Sequence, residues 1–325
     1  MIKFNKRQAS TPLELQHWTD LYNFHHDRFM GSRHVYYSKR AESRHKMVHV
    51  VSRKVLRVTM IMDAMEQAKL KLPWSGRQCS KTYLSSWRPA LRVIIVLVHG
   101  YCECYYLVDE TAGKGPNGSC EFIRRTLLHL EDHIALGDVA HFDFVLDNCP
   151  SENKNKTTHS FVASLVPEMD GDAASSALNY LVTGHTHEDV DGRGGQISRH
   201  CRKQGVTMQT PEDLVHEIRV AIGPSAASCG HALYVEEVRD IYNYEQHLRE
   251  RGGLYSHVGI QGPMAAHVWR YAKRPGHTAD WVTCSVAHWM GTLSQGEEVT
   301  APARDGDMEM RLAGLFQVNQ VCSVR

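Results

Sequence analysis

Three aspartates, Asp63, Asp147 and Asp191, have the type and placement to act together. Each follows an apolar or β-branched run: Asp63 follows Val55–Met62, Asp147 follows Phe142–Leu146, and Asp191 ends the string Gly184-His-Thr-His-Glu-Asp-Val-Asp191 after Leu178–Thr183. Carboxylates at the ends of neighbouring strands converge, because strand ends are stiff and adjacent strands run about 5 Å apart. Converging carboxylates repel one another unless a cation lies between them. Oxygen-only ligands suit a hard divalent ion, so the implied cofactor is Mg²⁺ or Mn²⁺. A pair of such ions about 4 Å apart suits phosphodiester exchange, one activating a water or 3′-hydroxyl and the other the leaving oxygen. Taken singly, each Asp is ordinary turn or N-cap chemistry. The combination carries the functional reading.

His185 and His187 lie two apart and face the same way on an extended segment, so with Asp189 they widen the candidate metal set. The Gly-His-Thr-His string also resembles metallophosphoesterases of the calcineurin type, but position 65 is Met and no Gly-Asn-His occurs. A hydrolase of small phosphoesters is therefore a second alternative. Lys69, Lys71, Asn153, Lys154 and Asn155 flank the first two acids and are the candidates for contact with nucleic acid. Gly113–Gly118 is glycine-rich but lacks the Gly-Lys-Ser/Thr ending of a P-loop. Cys102 and Cys104 share one face of a strand and read as packing residues. Trp269, Trp281 and Trp289 read as a C-terminal core.

The elements that must position these residues follow from periodicity. Strands are predicted at Val55–Met62, Leu91–Val98, Tyr101–Val108, Phe142–Leu146 and Leu178–Thr183, with residues 91–108 forming a hairpin at His99-Gly100. Helices are predicted from Cys120 to Ile134, Thr157 to Val166 and Gly194 to Lys203. The order is βββαβαβα over residues 55–204, an α/β layer arrangement. A basic helical segment, residues 1–54, precedes it. An extension, residues 205–325, follows, with helices expected at Pro211–Ile222 and Val235–Arg251 and strands near Val268–Ala272 and Asp280–Val286.

The chain has 325 residues, 42% hydrophobic and 22% charged, which is globular composition. Its longest apolar run, Val93–Val98, is far too short to span a bilayer, and the first residues lack an apolar leader. Nine cysteines without a Cys-x-x-Cys pair argue against a disulfide framework and a zinc ribbon, so an intracellular protein is expected. Residues 1–57 carry 12 Lys/Arg against 4 Asp/Glu in a chain whose net charge is +1. A basic entry to an acidic body suits a polyanion partner or a solvated helix face.

These residues resemble a transposon-derived eukaryotic domain family with a ribonuclease H-like core. Similarity lies in a His…Arg…Tyr helical segment (His25/His26, Arg33, Tyr36/Tyr37), in Asp63-Ala-Met-Glu-Gln-Ala-Lys-Leu-Lys-Leu-Pro73, in Leu146 to Asn155, and in Gly184 to Asp191. The resemblance covers residues 25–204. It implies a five-stranded mixed sheet of the ribonuclease H-like kind and a DDE/DDD nuclease or DNA strand transferase of the integrase type. Its acidic triad is Asp63, Asp147 and Asp191, with DNA as partner and a nuclear location. A homo-oligomer is left open. Two departures stand out: Gly192-Arg-Gly-Gly195 replaces an aromatic opening of the last helix, and no zinc-finger module occurs. Both favour the alternative of a host-adopted, non-catalytic relic that binds nucleic acid or protein.

Overall fold

The computed structural model describes residues 9, 11–48, 53–65, 71–75, 80–110, 112–167, 169, 174–180, 188–203, 205–250, 267–273, 281–287 and 310–311. Helix α1, Pro12–Arg44, starts at a capping box in which Thr11 and Glu14 satisfy one another's backbone N–H groups, with Pro12 in the first turn. Strand β1, Val55–Ala64, has a fully buried centre. Strands β3, Leu91–Val98, and β4, Cys102–Asp109, form the expected hairpin, with Val98 opposite Cys102. Its turn needs glycine. Gly100 has φ +87°, and a Cβ there would lie 2.7 Å from the Ser43 carbonyl oxygen at the end of α1.

Helix α3, Pro116–Glu131, leads into β5, Val139–Leu146. Helix α4, Lys156–Ser164, leads into β6, Ser175–Tyr180, and helix α5, Glu188–Lys203, follows. After them come α6, Pro211–Ser228; β8, Ala232–Glu237; α7, Tyr244–Glu250; and strands β9, Val268–Lys273, β10, Trp281–Ala287, and β11, Met310–Arg311. Short strands β2, Trp74–Ser75, and β7, Thr207–Met208, pair with each other, and a one-turn helix α2, Lys81–Ser85, lies between β2 and β3.

The large sheet has the order β11-β10-β9-β6-β5-β1-β3-β4-β8. Pairs β1–β5, β5–β6 and β4–β8 are parallel, and the others antiparallel. Alternation along the strands divides the core into two layers. Val58, Met60, Met62, Phe142, Phe144 and Leu146 meet α3 and α4 on one face. Ile61, Val93, Ile95 and Val145 meet α5, α6 and Tyr36 of α1 on the other. Each fully buried side chain of this size contributes about 1.5–3 kcal/mol. The fold is thus α/β, a mixed sheet flanked by helices.

Three expectations need correction. The helix placed at Val235–Arg251 is split into strand β8 and the short α7. Val235, Val238 and Ile241 mimic helical spacing, but Ala232–Glu237 gains backbone partners along one edge by pairing parallel with β4. Helix α5 begins at Glu188 rather than Gly194, and so takes in Asp191. The fifth core strand is Ser175–Tyr180; residues 181–183 of the expected strand lie outside the described residues.

Candidate active site

Strands β1 and β5 are neighbours and parallel, with Ile61 opposite Val145 and Met62 opposite Leu146. One step further along each strand are Asp63 and Asp147. Ile61 and Val145 belong to the layer beneath α5, so alternation assigns Asp63 and Asp147 to that same face. Asp63 is still paired, opposite Ile95 of β3, and is half-buried. Asp147 is half-buried where the chain leaves the sheet, and its Oδ1 accepts the N–H of Asn148 at 2.7 Å. Two acids from distant sequence therefore come at one end of the sheet, on neighbouring strands.

Asp191 lies on the first turn of α5 and is exposed. Three residues on, Gly194 brings the helix backbone close to the end of β1: a Cβ there would sit 3.4 Å from Met65 Cγ and 3.8 Å from Ile95 Cδ1. The glycines of Gly192-Arg-Gly-Gly195 do not break the helix. Among the described residues, no group of three His, Cys, Asp or Glu is gathered tightly enough to hold a metal ion. His185, His187 and Lys69 lie outside the described residues.

Asp189 is engaged elsewhere. Its carboxylate takes both oxygens to Arg40 Nη1, at 2.7 and 2.8 Å, and accepts the Tyr36 hydroxyl at 2.7 Å. Burial pushes its pKa up, but hydrogen bonds from Tyr36 and Arg40 outweigh that and hold it below the usual carboxylate range. Asp189 thus ties α5 to α1 instead of facing the strand ends. Four residues later Arg193 donates to buried Glu103 of β4, which also meets His231 Nδ1 and the Tyr105 hydroxyl, each at 3.0 Å. The first turns of α5 are fixed at two points by charge-assisted bonds.

Below the acid pair lies a buried ionic network that the sequence did not announce. Asp143, opposite Thr59, accepts Lys39 Nζ at 2.5 Å, Arg57 Nη1, and Asn179 Nδ2 at 3.1 Å. Burial opposes its charge, yet Lys39 and Arg57 hold its pKa well below the ordinary range. Arg57 reaches on to Glu42 at 2.7 Å. The only signal for it was a charged residue inside Phe142-Asp-Phe144.

The Asp147–Asn155 loop departs from expectation. Asn153, Lys154 and Asn155, read as nucleic-acid contacts, serve the loop itself. Asn155 caps α4, accepting the Thr158 N–H at 3.0 Å. Asn153 is buried and accepts the Ser119 hydroxyl at 2.8 Å. Lys154 is buried, with Nζ 5.4 and 5.2 Å from the ring centroids of Tyr180 and Trp269 and no hydrogen-bond partner among the described residues. Desolvation lowers its pKa. Beside it the Tyr271 hydroxyl meets His159 Nδ1 at 2.5 Å, and His159 Nε2 meets Tyr180, whose proton goes to the Asn153 carbonyl at 2.9 Å. That chain assigns the neutral Nε2–H tautomer to His159. Lys71 is exposed and bridges to Ala90.

A mixed α/β sheet with paired acids at the ends of parallel strands is the class of domain defined here. The chain belongs to the family described as Domain of unknown function (DUF7869), whose match covers residues 81–281 and so includes Asp147 and Asp191. No curated protein and no solved structure matches the chain.

Proposed function

We propose that the chain is a transposase- or integrase-like, divalent-metal-dependent nuclease or polynucleotidyl transferase acting on DNA phosphodiesters. The observation that carries the reading is the register of β1 on β5, in which Met62 is level with Leu146, so that Asp63 and Asp147 each come one residue further along neighbouring parallel strands. Strand order supports it too. Counting only the strands of the βββαβαβα core, the sheet runs third, second, first, fourth, fifth (β4-β3-β1-β5-β6), with the second alone antiparallel. That arrangement agrees with a ribonuclease H-like core of transposon origin.

Asp63 and Asp147 would offer a hard cation oxygen ligands from a stiff support, and Asp191, which is not gathered with them into a metal-holding group, is the third acid of the reading. Mg²⁺ or Mn²⁺ held there supplies Lewis-acid charge neutralisation at the phosphodiester. The protein's own part is positional. β1 and β5 fix the first two carboxylates. Arg40 and Glu103, through Asp189 and Arg193, fix the turn of α5 that carries Asp191. DNA as partner and a nuclear site of action follow from the same reading.

The test is nicking of plasmid DNA by the purified chain with Mg²⁺ or Mn²⁺. We expect Asp63→Asn and Asp147→Ala each to lower cleavage about 10²- to 10³-fold with unchanged melting temperature, on the scale of losing one electrostatic stabiliser. Cleavage unchanged in Asp147→Ala removes the mechanism. Salt-sensitive DNA binding with no cleavage under any metal moves the protein to the non-catalytic relic.

A further inference from the structure

We propose that the lobe between β1 and β3 is a platform for a single-stranded stretch of polynucleotide, with Trp87 stacking on a base. This rests on the reading of the acid pair as a polynucleotide site and names the partner surface beside it.

Three observations carry it. The first is charge. From Gln67 to Cys102 the sequence holds six Lys/Arg (Lys69, Lys71, Arg77, Lys81, Arg88, Arg92) and no Asp or Glu. In a chain whose net charge is +1, that is a marked segregation. Among its described members, Lys71 and Lys81 are exposed. The second is Trp87, 88% exposed and more so than any other large apolar side chain among the described residues. An indole so displayed loses hydrophobic stabilisation unless something covers it.

The third is placement and build. Beyond Asp63, β1 and β3 stay joined: the Met65 N–H donates to Val93, the Leu72 N–H to Pro89, and Lys71 bridges Ala90. The lobe therefore projects from the same sheet end as the acid pair. It is also rigid. Tyr83 and Arg88 both donate to the Pro73 carbonyl, at 2.6 and 3.0 Å, and Arg88 lies 4.7 Å over the Tyr83 ring. Trp74 pairs with Met208, and Leu72 is buried. Exposed cations and an exposed aromatic within one segment supply the two components of single-strand binding: backbone neutralisation and sequence-tolerant stacking. An acidic protein surface would satisfy the lysines but leave the indole without a stacking partner.

The experiment is fluorescence anisotropy with a labelled oligothymidylate, in EDTA, on the full chain. We expect Trp87→Ala to weaken binding about 5- to 100-fold and Trp87→Tyr to restore most of it. Lys71→Gln with Lys81→Gln should reduce the slope of log K against log salt by about 0.7 per lysine. Because Trp87 is exposed, thermal melts should coincide with the parent chain. Wild-type affinity in Trp87→Ala overturns the platform, even if metal-dependent cleavage stands. No binding by the parent chain also overturns it. Equal competition by polyglutamate, with no effect at Trp87, makes the lobe a general polyanion surface and overturns it as well. Loss of cleavage in Asp147→Ala is read separately, so failure of either proposal is distinguishable.

Discussion

Burial holds His99 and His159 neutral, each with a pKa lowered to about 3. The unfolded chain protonates its histidines near pH 6.5, so between there and about 3 it binds protons that the folded state refuses. The stability these residues contribute is complete above pH 6.5 and declines as pH falls. We expect a loss of about 1 kcal/mol per histidine between pH 7 and 5.5, read as a falling urea midpoint. Asp143 does not offset this, because its depressed pKa confines its effect to more acid conditions. A midpoint that stays level over that range would contradict the neutral assignment. Lys154 offers a complementary test. Its ammonium is buried against two rings with no hydrogen bond to a described residue, so Lys154→Met should stabilise by roughly 1 kcal/mol, read as a small rise in melting temperature by calorimetry. A drop in melting temperature would mean that the ring contacts outweigh desolvation. At this scale the sequence was least informative. Asn153, Lys154 and Asn155 read as surface chemistry, but turn geometry and N-capping claim them first.

At the scale of elements, α1 is held on the sheet by polar contacts more than by apolar ones. Tyr36, Lys39, Arg40 and Ser43 form its docking face, and Ser43 donates to the His99 carbonyl at 2.6 Å. Gly100 is the position where the β3–β4 turn touches the helix end. Gly100→Ala combines a strained φ with a 2.7 Å approach to Ser43, so we expect a loss of about 2–3 kcal/mol. Limited proteolysis near residue 44 should accelerate in parallel, because the helix end must move away. An unchanged cleavage rate would show that the contact relaxes elsewhere. Element types were largely legible: apolar, β-branched runs gave β1, β3, β4 and β5 to within a few residues, and the helices expected from Cys120, Thr157 and Pro211 begin at Pro116, Lys156 and Pro211. The start of α5 was not, because three glycines concealed a helix that is anchored through Asp189 and Arg193.

For the whole molecule, register mattered most and could not be read from sequence. Nothing in Val55–Met62 or Phe142–Leu146 says that Asp63 must step level with Asp147; parallel pairing and two filled core layers decide it. Strands β9 and β10, expected in an extension, widen one side of the same sheet together with β11, and β8, expected as part of a helix, forms its other edge. Their pairing is nonlocal, which local periodicity cannot report. No helix among the described residues is long and apolar enough to cross a membrane.

The central place of β1 has a consequence for biosynthesis. As the chain leaves the ribosome, β1 gains β3 soon after it emerges, but its other edge stays open until Val139–Leu146 have been made. During that interval an apolar strand offers unpaired amides to any neighbouring nascent chain. Translation that stalls between these two strands leaves a sticky half-sheet, and chaperones would be needed most at that stage.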